Sequence, residues 1–534
     1  MKSPALFLTI FLAAGAAVAK PQNVPEVLTP AETWIIEQTT TGEIADLRPQ
    51  FPNEKDRKIN TRFLEGLLAG ALPGFKPHRN GIRIAGAVID EPISFQNAHV
   101  PWAVWLEFCR FKKDVDFTRT EFANGVSFGF SIFEAGANFN ELKVQGIANF
   151  LGSAFNGPVS FINANVSGEF HANLARFRNP LNDPSQTVSF NSMVLGSNAY
   201  FNGARFEDVV DMVAATVKGE FQIHNVEFNG DSFFEKMTCN VVTLNEVRFP
   251  KAVSFRDSNF VDLLVSGPEL TPQFVHLMNL ENVSIKRRLR LQFLNIDQLV
   301  ADSLRVEGPA EFVLIDVQNS ADLSFGAFST LYLLQCSWPK KPSAFRFQIV
   351  TYKYISTNSN EFQSHIGLLK LADQCAYTAD VYRNLENFFS EIGYAADKDE
   401  AFIAGKRRER AEHLRNFSWF GSLMLDWLIG YGRHPERAGY VCIGIVILGC
   451  ILFPGSKMKL RDRREERKPD DIRPKYNRLW YSLGLFLPVV DLKTSDLWKP
   501  TNEHVFLQYY LRIHILLGWI FVPIFLAAIS GLIK

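Results

Sequence analysis

Cysteine and histidine are scarce in this chain of 534 residues, which contains six cysteines and ten histidines. The cysteines form no Cys-x-x-Cys pair and the histidines form no His-Glu-x-x-His motif, so neither shows the spacing of a zinc site or a disulfide framework. Glycine-rich nucleotide-binding motifs are also absent. We therefore predict no metal and no cofactor, and we expect Cys109 and Cys239 to be buried free thiols.

Net charge is the second thing that the sequence lacks. The 56 basic residues balance the 56 acidic residues, and the formal net charge is zero. A chain that binds nucleic acid over its whole surface carries an excess of positive charge. The balance therefore argues against a nucleic-acid partner.

What the sequence does have is phenylalanine at a fixed period. Between residues 111 and 166, steps of six and five residues alternate, and nine of the eleven positions reached are Phe. A helix cannot keep such positions on one face, and a single strand cannot alternate for so long without a turn. Short strands joined by corners can, so the pattern predicts a β-solenoid whose sides point large rings inward. The positions are Phe111, Phe117, Phe122, Phe128, Phe133, Phe139, Val144, Phe150, Phe155, Phe161 and Val166.

The phasing resembles that of the pentapeptide-repeat family, in which a small residue precedes a central Leu or Phe by two positions. The units Ala137-Asn138-Phe139 and Ala148-Asn149-Phe150 match this pattern. The resemblance implies a mainly β fold, a right-handed and roughly four-sided β-helix, here over residues 81–347. This chain adds a residue in every second step, which we interpret as one wider corner per pair of sides and about 22 residues per coil. A three-sided cross-section remains an alternative.

The amino terminus has the pattern of an export signal. Lys2 precedes an apolar run and then Ala17-Val18-Ala19, a small-x-small cleavage pattern, so residues 1–19 are predicted to be a signal peptide. An uncleaved anchor is the alternative, and either would export the rest of the chain. Residues 20–80 are predicted to form a helical cap, because Thr29-Pro30-Ala31-Glu32 has the residues of a capping box.

Residues 360–430 change to a helical period. We expect one helix from Leu368 to Ile392 and a second over 397–415, which together form a hairpin cap at the other end of the solenoid. A further stripe from Phe417 to Leu428 favours a helix in a membrane interface, with a buried core helix as the alternative.

Two stretches near the carboxyl end, 438–456 and 513–533, carry no charge and are long enough to cross a membrane, and we predict transmembrane helices at 438–456 and 510–533. Between them, 457–504 is a basic segment that contains an apolar stretch of re-entrant or interfacial length at 479–490. Nine basic residues come after the first span, against Arg433 and Arg437 in the twenty residues before it. Basic loops stay in the cytoplasm, so the solenoid is expected on the periplasmic side. The nine are Lys457, Lys459, Arg461, Arg463, Arg464, Arg467, Lys468, Arg473 and Lys475.

The tail around these spans also resembles a known group. Gly430-Tyr431-Gly432-Arg433-His434-Pro435-Glu436-Arg437-Ala438 and Trp498-Lys499-Pro500 are similar to the tail of bacterial membrane-anchored pentapeptide-repeat proteins, whose function is largely uncharacterised. The resemblance implies a location in the bacterial inner membrane.

Two motifs associated with chemistry lie in the wrong context. Gly125-Val126-Ser127-Phe128-Gly129 spells a nucleophile elbow, but Phe128 belongs to the phenylalanine ladder, so no strand-turn-helix is expected there. Gly430-Tyr431-Gly432 matches part of a potassium filter, but it precedes both spans. We predict no catalytic residues.

One surface cluster is a candidate binding site. Lys286, Arg287, Arg288 and Arg290 place four positive charges together within the solenoid. They could dock an anionic partner, or they could be solvated or paired with acidic residues on neighbouring coils.

These observations predict a membrane-anchored, periplasm-facing binding or scaffold module without catalysis of its own. Its expected partners are the lipid bilayer and an envelope protein or anionic ligand. A solenoid filled by phenylalanine has no internal site, so function is expected on its outer faces. The alternatives are a channel-like or transport accessory protein that uses the two spans and 479–490, and an enzyme whose site the sequence does not reveal.

Overall fold

The computed structural model describes residues 27–530 apart from 179–187, 270–272, 413–416, 462–474, 488–489, 491 and 493. The chain divides into two compact units, Met1–Ala376 and Tyr377–Lys534. The predicted signal peptide and most of the basic segment after the first span lie outside the described residues.

The first unit is a parallel β-solenoid with four faces. Strands on one face pair in register from coil to coil, so that Val126 lies beside Ala148 and Ala137 beside Val159. Side chains repeat at the same interval, because Asn149 Nδ2 donates to Ser127 Oγ on the preceding coil, 22 residues earlier. The coil length expected from the phenylalanine spacing is therefore confirmed, and the cross-section has four sides.

The short strands of the solenoid are grouped by face. The first face contains Ile82–Ala85, Val104–Glu107, Val126–Ser127, Ala148–Asn149, Phe170–His171 and Ala199–Tyr200. The second face contains Val88–Ile89, Arg110–Phe111, Ile132–Phe133, Ala154–Phe155, Arg176–Phe177, Arg205–Phe206 and Glu227–Phe228. The third face contains Ile93–Ser94, Val115–Asp116, Ala137–Asn138, Val159–Ser160, Val188–Ser189, Val210–Asp211, Ser232–Phe233, Ala252–Ser254 and Phe345–Arg346. The fourth face contains His99–Val100, Glu121–Phe122, Lys143–Val144, Asn165–Val166 and Val194–Leu195.

Longer strands run round the corners in the carboxy-terminal half of the solenoid. They are Thr216–His224, Thr238–Asn245, Asn259–Ser266, Gln273–Asn279, Ser284–Val300, Arg305–Asp322, Ala327–Leu334 and Thr351–Ser356. At the other end, the strand Ala45–Asp46 pairs with Ile82–Ala85. The solenoid therefore extends a little beyond the predicted range of 81–347 at both ends.

The corners explain why steps of six and five residues alternate. Each five-residue step contains a left-handed residue such as Arg119, Phe130 or Glu141, with φ of 55°, 56° and 56°. A left-handed residue reverses the chain within one tight turn, which the amide of Thr120 closes on the carbonyl of Phe117 at 3.0 Å. The six-residue steps contain the extra residue of a wider corner. The interpretation of one wider corner per pair of sides is confirmed.

Stacked phenylalanines fill the coils. On the second face, seven rings from Phe111 to Phe249 stack with centroids 4.7–5.1 Å apart. This spacing matches the separation of neighbouring strands, so every ring contacts the ring in the next coil. The small residues also point inward, and Cys109 and Cys239 are buried free thiols as predicted.

An insertion lengthens one turn of the solenoid by seven residues. The amide of Asn202 donates to Asn173 Oδ1 on the preceding coil, 29 residues earlier, whereas the amide of Gly136 donates to Asp114 Oδ1, only 22 residues earlier. The strand pairing shows the same difference, because Ser160 pairs with Ser189. Seven additional residues therefore lie between the second-face strand Arg176–Phe177 and the third-face strand Val188–Ser189.

Helices lie at the ends of the first unit. Helix α1 (Pro30–Thr41) begins with the predicted capping box: Glu32 N donates to Thr29 Oγ at 3.2 Å, and Thr29 N donates to Glu32 Oε2 at 2.8 Å. A single helical turn, Leu47–Gln50, and helix α2 (Thr61–Leu68) come next. Helix α3 (Glu361–Gln374) packs on the last strand, Thr351–Ser356. Such caps cover the exposed edges of a solenoid.

The second unit contains the remaining helices. Helices α4 (Ala379–Glu391) and α5 (Ala395–Glu412) form a hairpin, and α6 (Phe417–Ile429) comes after it. Helix α7 (Pro435–Leu452), helix α8 (Arg478–Phe486), the single turn Thr494–Leu497 and helix α9 (Val505–Ile529) complete it. The strands Met458–Leu460 and Trp498–Pro500 pair as an antiparallel ribbon.

The helix predicted from Leu368 to Ile392 is in fact two helices, α3 and α4. Cys375 is extended, and the amide of Ala376 donates to the carbonyl of Phe345 in the solenoid at 2.7 Å. This hydrogen bond diverts the backbone out of the helix. The predicted cap is thus α3 alone, and the hairpin of α4 and α5 belongs to the second unit.

Helices α7 and α9 are long and apolar enough to cross a membrane. They begin a few residues before the predicted spans of 438–456 and 510–533. Helix α7 ends at Leu452, before Pro454, because the residue that precedes a proline avoids the helical conformation. Most of the large side chains that they expose are apolar, among them Ile443, Ile451 and Leu516.

Candidate functional site

A groove of about 570 Å³ runs along the third face of the solenoid. Its floor is the ladder of outward side chains on five successive coils, and we call it the third-face groove. The ladder consists of Asp116, Asn138, Ser160, Ser189 and Asp211. Each lies between two inward residues of its strand, so the phenylalanine pattern that fills the core also sets these five side chains outward.

The surface is concave because small residues lie in the middle of the ladder. Serines occupy the third and fourth positions of the ladder, and longer side chains flank them, those of Asp116 and Asn138 on one side and that of Asp211 on the other. Gly136 lines one side, where a Cβ atom would lie 3.1 Å from Asp114 Oδ1. Pro158 borders the same side on the next coil. The groove is therefore a product of side-chain size at equivalent positions of successive coils.

Hydrogen bonds hold the polar side chains of the groove in place. Thr118 Oγ1 donates to Asp116 Oδ1 at 2.6 Å, and Asn191 Nδ2 donates to Asp211 Oδ2 at 2.6 Å. Asn140 Oδ1 accepts from the amide of Ile162 at 2.9 Å. The last two bonds connect neighbouring coils, so the polar groups are presented in a fixed arrangement.

The groove is acidic. Three carboxylates line it, those of Asp114, Asp116 and Asp211, and its lining among the described residues includes no lysine or arginine. Burial alone would raise the pKa of Asp116, but hydrogen bonds from Thr118 and Gln96 hold that pKa below its ordinary value. The groove therefore carries negative charge at neutral pH and repels polyanions.

One buried polar atom of the groove has no protein partner in the part of the chain that the structure describes. The hydroxyl of Ser189 is buried, with 6% of the residue exposed, and it forms no hydrogen bond there. A buried hydroxyl without a partner costs free energy, so such an atom points to a ligand or to water.

The predicted basic patch lies on the long strand Ser284–Val300. Arg287 forms a bidentate ion pair with the buried Asp262, which raises the pKa of Arg287, and Arg290 Nε lies 3.2 Å from Glu311 Oε2. Lys286 and Arg288 are exposed and form no ion pair within the described part of the chain. Acidic residues on neighbouring coils thus offset half of the charge, which weakens the patch as a docking site.

The key side chains of the two motifs associated with chemistry, Ser127 and Tyr431, form hydrogen bonds that hold the fold together. Ser127 Oγ donates to Glu107 Oε1 at 2.7 Å and accepts from Asn149 Nδ2 at 3.0 Å, so neighbouring coils engage the hydroxyl of the apparent nucleophile elbow. Tyr431 has a left-handed φ of 53°, and its hydroxyl accepts from Arg410 Nη1 at 3.0 Å. The Gly-Tyr-Gly segment therefore forms a turn that anchors α5.

Metal chemistry finds no support in the described residues: they contain no group of three or more histidine, cysteine, aspartate or glutamate side chains that could hold an ion.

A second polar cluster lies between the two candidate membrane helices. His514 of α9 is fully buried, with Nε2 3.1 Å from the Ser482 carbonyl and Nδ1 3.3 Å from the Tyr510 hydroxyl. Ser482 of α8 donates in turn to the carbonyl of Val446 at 2.8 Å. Buried ionisable residues in membrane helices often mark a functional pathway. This cluster is therefore the part of the described structure on which the transport alternative would depend.

Close packing surrounds that cluster. A Cβ atom on Gly449 would lie 2.1 Å from Ser482 Oγ, and one on Gly518 would lie 1.9 Å from the carbonyl oxygen of Phe486. Glycine at these two positions lets α8 press against both long helices. Sequence reasoning selected the stretch 479–490 but not these glycine contacts.

The comparison with known families supports the repeat architecture. A family model described as pentapeptide repeats (nine copies) matches residues 95–142, where the first two ladder residues of the groove lie. The resemblance inferred from the phenylalanine spacing is confirmed for that stretch. No curated protein and no solved structure gave a significant match.

Proposed function

We propose that this protein is a membrane-anchored binding module that presents the third-face groove of its solenoid to a ligand, with no catalysis of its own. The groove is the observation that carries the proposal. Stacked rings fill the coils, so a ligand must bind on an outer face, and the groove combines concave shape with convergent polar groups there. A parallel solenoid presents such a surface on several coils at once.

The second unit supports the lipid bilayer as a partner. Besides α7 and α9, helix α6 exposes an apolar stripe of Phe420, Met424 and Trp427 at helical spacing. Its opposite side carries Asp426, which is buried against arginines of α5. This division of polar and apolar faces is typical of a helix that lies in a membrane interface.

The distribution of basic residues supports an orientation. The segment after α7 is rich in lysine and arginine, so we place it in the cytoplasm and the solenoid in the periplasm of a bacterial inner membrane. The export pattern at residues 1–19 supports the same arrangement.

Reporter fusions test this orientation. Alkaline phosphatase fused after Asp380 should be active, and the same enzyme fused after Asp470 should be inactive, because it folds only outside the cytoplasm. A green fluorescent reporter at the same two positions should give the opposite result. Activity only after Asp470 would place the solenoid in the cytoplasm and contradict the proposal.

Site-specific photocrosslinking tests the groove itself. A photoreactive amino acid at Asn138 or Ser160 should crosslink a discrete ligand in intact cells, because both side chains line the groove. The matched control is Asn165, which points outward from the fourth face on the same coil as Ser160 and should give no product. Equal products from all three positions would mean random encounter.

The transport alternative makes a different prediction for the same molecule. The ring nitrogens of His514 and the Ser482 hydroxyl are within hydrogen-bond distance of other groups of the cluster, and glycine contacts close the packing around them. These contacts favour a structural link between α8 and the long helices over a pathway. Ion flux through liposomes that contain the full chain, together with no groove crosslink, would favour transport instead.

A further inference from the structure

The hydrogen-bonding pattern of the third-face groove narrows the class of its ligand. Its free groups include donors and acceptors: Asn138 and Asn140 have side-chain amide nitrogens without a partner in the described structure, and Asp114 has a free carboxylate oxygen there. The Ser189 hydroxyl can act as either. A ligand that satisfies this mixture must itself carry both donors and acceptors along its length.

Charge disfavours one large class of ligand, and existing hydrogen bonds limit the fit of another. Polyanions such as nucleic acids and acidic polymers meet three carboxylates and no lysine or arginine in the described lining. Polycations would be attracted by these charges, but neutral donors already occupy carboxylate oxygens at the two ends: Thr118 and Gln96 bind Asp116, and Asn191 binds Asp211. An ammonium group would compete with these bonds and leave the free amides and the Ser189 hydroxyl without partners, so the hydrogen-bonding pattern favours a neutral ligand.

Shape and spacing favour a chain of similar units. From Asp116 to Asp211 the ladder crosses four coil steps, which at about 4.8 Å per step gives a floor about 19 Å long. Each coil therefore offers its polar groups at an interval comparable to the length of one sugar ring. Pro158 and Ile162 add apolar surface beside the polar ladder, and the half-buried ring of Phe233 occupies the next ladder position after Asp211.

We propose that the third-face groove binds a neutral polysaccharide strand that lies along the solenoid axis. Its hydroxyl groups both donate and accept, as the free amides, the Asp114 carboxylate and the Ser189 hydroxyl require, and the apolar faces of its rings cover Pro158 and Ile162. An extended peptide is a poorer match, because strands of adjacent coils pair with each other on this face and leave no backbone edge for β-augmentation. This inference rests on the proposed function.

Titration calorimetry on the full-length protein in detergent tests the ligand class. The probes are the neutral hexasaccharides cellohexaose, chitohexaose and maltohexaose, with hexagalacturonate and hexalysine as charged comparisons. At least one neutral sugar should bind, and more tightly than either charged probe. If no neutral sugar binds, or if either charged probe binds as tightly as the best neutral one, the inference is wrong.

Two groove variants locate the binding. Ser160→Trp should weaken the best sugar at least about tenfold by filling the floor, whereas Asn165→Trp on the fourth face of the same coil should leave affinity unchanged. Ser189→Ala should weaken it about fivefold through loss of one hydrogen bond, without lowering the melting temperature, because the hydroxyl has no partner to lose among the described residues. Equal affinities for the two tryptophan variants, or full affinity for the alanine variant, would place the sugar elsewhere.

The binding module and its polysaccharide ligand can be disproved separately. A crosslinked protein at Asn138 and Ser160 with no sugar binding would overturn the polysaccharide and leave the binding module intact. Neither crosslink nor sugar binding would overturn both.

Discussion

Phe139→Asp is expected to destabilise the solenoid by about 5 kcal/mol, the sum of a lost buried ring and a buried carboxyl group. Phe139 is fully buried and stacks on Phe161 at 4.8 Å and on Phe117 at 5.7 Å. It also contacts Phe128 and Phe150 edge to face. These neighbours are all apolar rings that cannot pair with a charge, so the coils should separate there. Circular dichroism of the full chain should show a large fall in melting temperature.

Phe139→Leu is the matched control. Leucine keeps an apolar side chain of similar length in the stack, so we expect a loss on the order of 1 kcal/mol. The two variants remove the same ring and differ in polarity. If they melt at the same temperature, the ring is not inside the coil and the fold assignment fails.

Asp426→Asn should destabilise the second unit by about 3 kcal/mol, because an amide cannot compensate the positive charge that remains and an unpaired buried charge is costly. Asp426 Oδ2 accepts from Arg410 Nη2 at 2.9 Å, and the side chains of both residues are largely buried, with 10% and 13% exposed. Arg407 also binds Asp426 but is 45% exposed, so Arg407→Gln should cost less than about 1 kcal/mol. Unfolding of the detergent-solubilised protein measures both.

Acid gives an independent check of the same ion pair. Burial alone would raise the pKa of Asp426, but the hydrogen bonds and charges of Arg407 and Arg410 hold it below the ordinary value. A carboxyl with a lowered folded-state pKa stabilises the protein above the unfolded-state pKa, and it loses that contribution as the pH falls through the folded-state pKa. The gap in stability between wild type and Asp426→Asn should therefore be full at neutral pH and close in strong acid. A gap that does not change with pH would show that the carboxylate charge is not what stabilises α5 and α6.

Local sequence patterns predicted the structure correctly wherever the environment of a residue depends on its neighbours in the chain. The alternation of a small residue and phenylalanine predicts which side chains of a short strand point inward, because the period of a strand is two. The capping box at Thr29 and Glu32 acts across three residues, and it is present as predicted. The uncharged stretches predict helices α7 and α9 because length and hydropathy are sums over a window.

Contacts between distant coils were beyond such patterns. The charge cluster at Lys286 to Arg290 was a candidate docking patch because the sequence does not show which residues of the preceding coil face it. Asp262, which pairs with Arg287, lies 25 residues earlier in the chain. The long predicted helix is broken at Cys375, where the amide of Ala376 donates to the carbonyl of Phe345. The apolar periodicity of the helix contains no information about this contact with a distant part of the chain. The outward residues of the third face follow one another at 22 residues from Asp116 to Ser160, and that interval could have identified them in the sequence. The insertion before Ser189 lengthens the next interval to 29 residues and hides the continuation of the ladder.

By itself the sequence determined the solenoid, its coil length, its filled core, its amino-terminal cap and two helices fit for a membrane, since each depends on the order of large, small, polar and apolar residues along the chain. Only the tertiary structure decided where the outer surface is concave, which charges are paired and how closely α8 approaches the long helices at Gly449 and Gly518. The physical reason is that core burial repeats in every coil and tolerates variation, whereas a groove or an ion pair depends on side chains that meet only after the chain has wound once around.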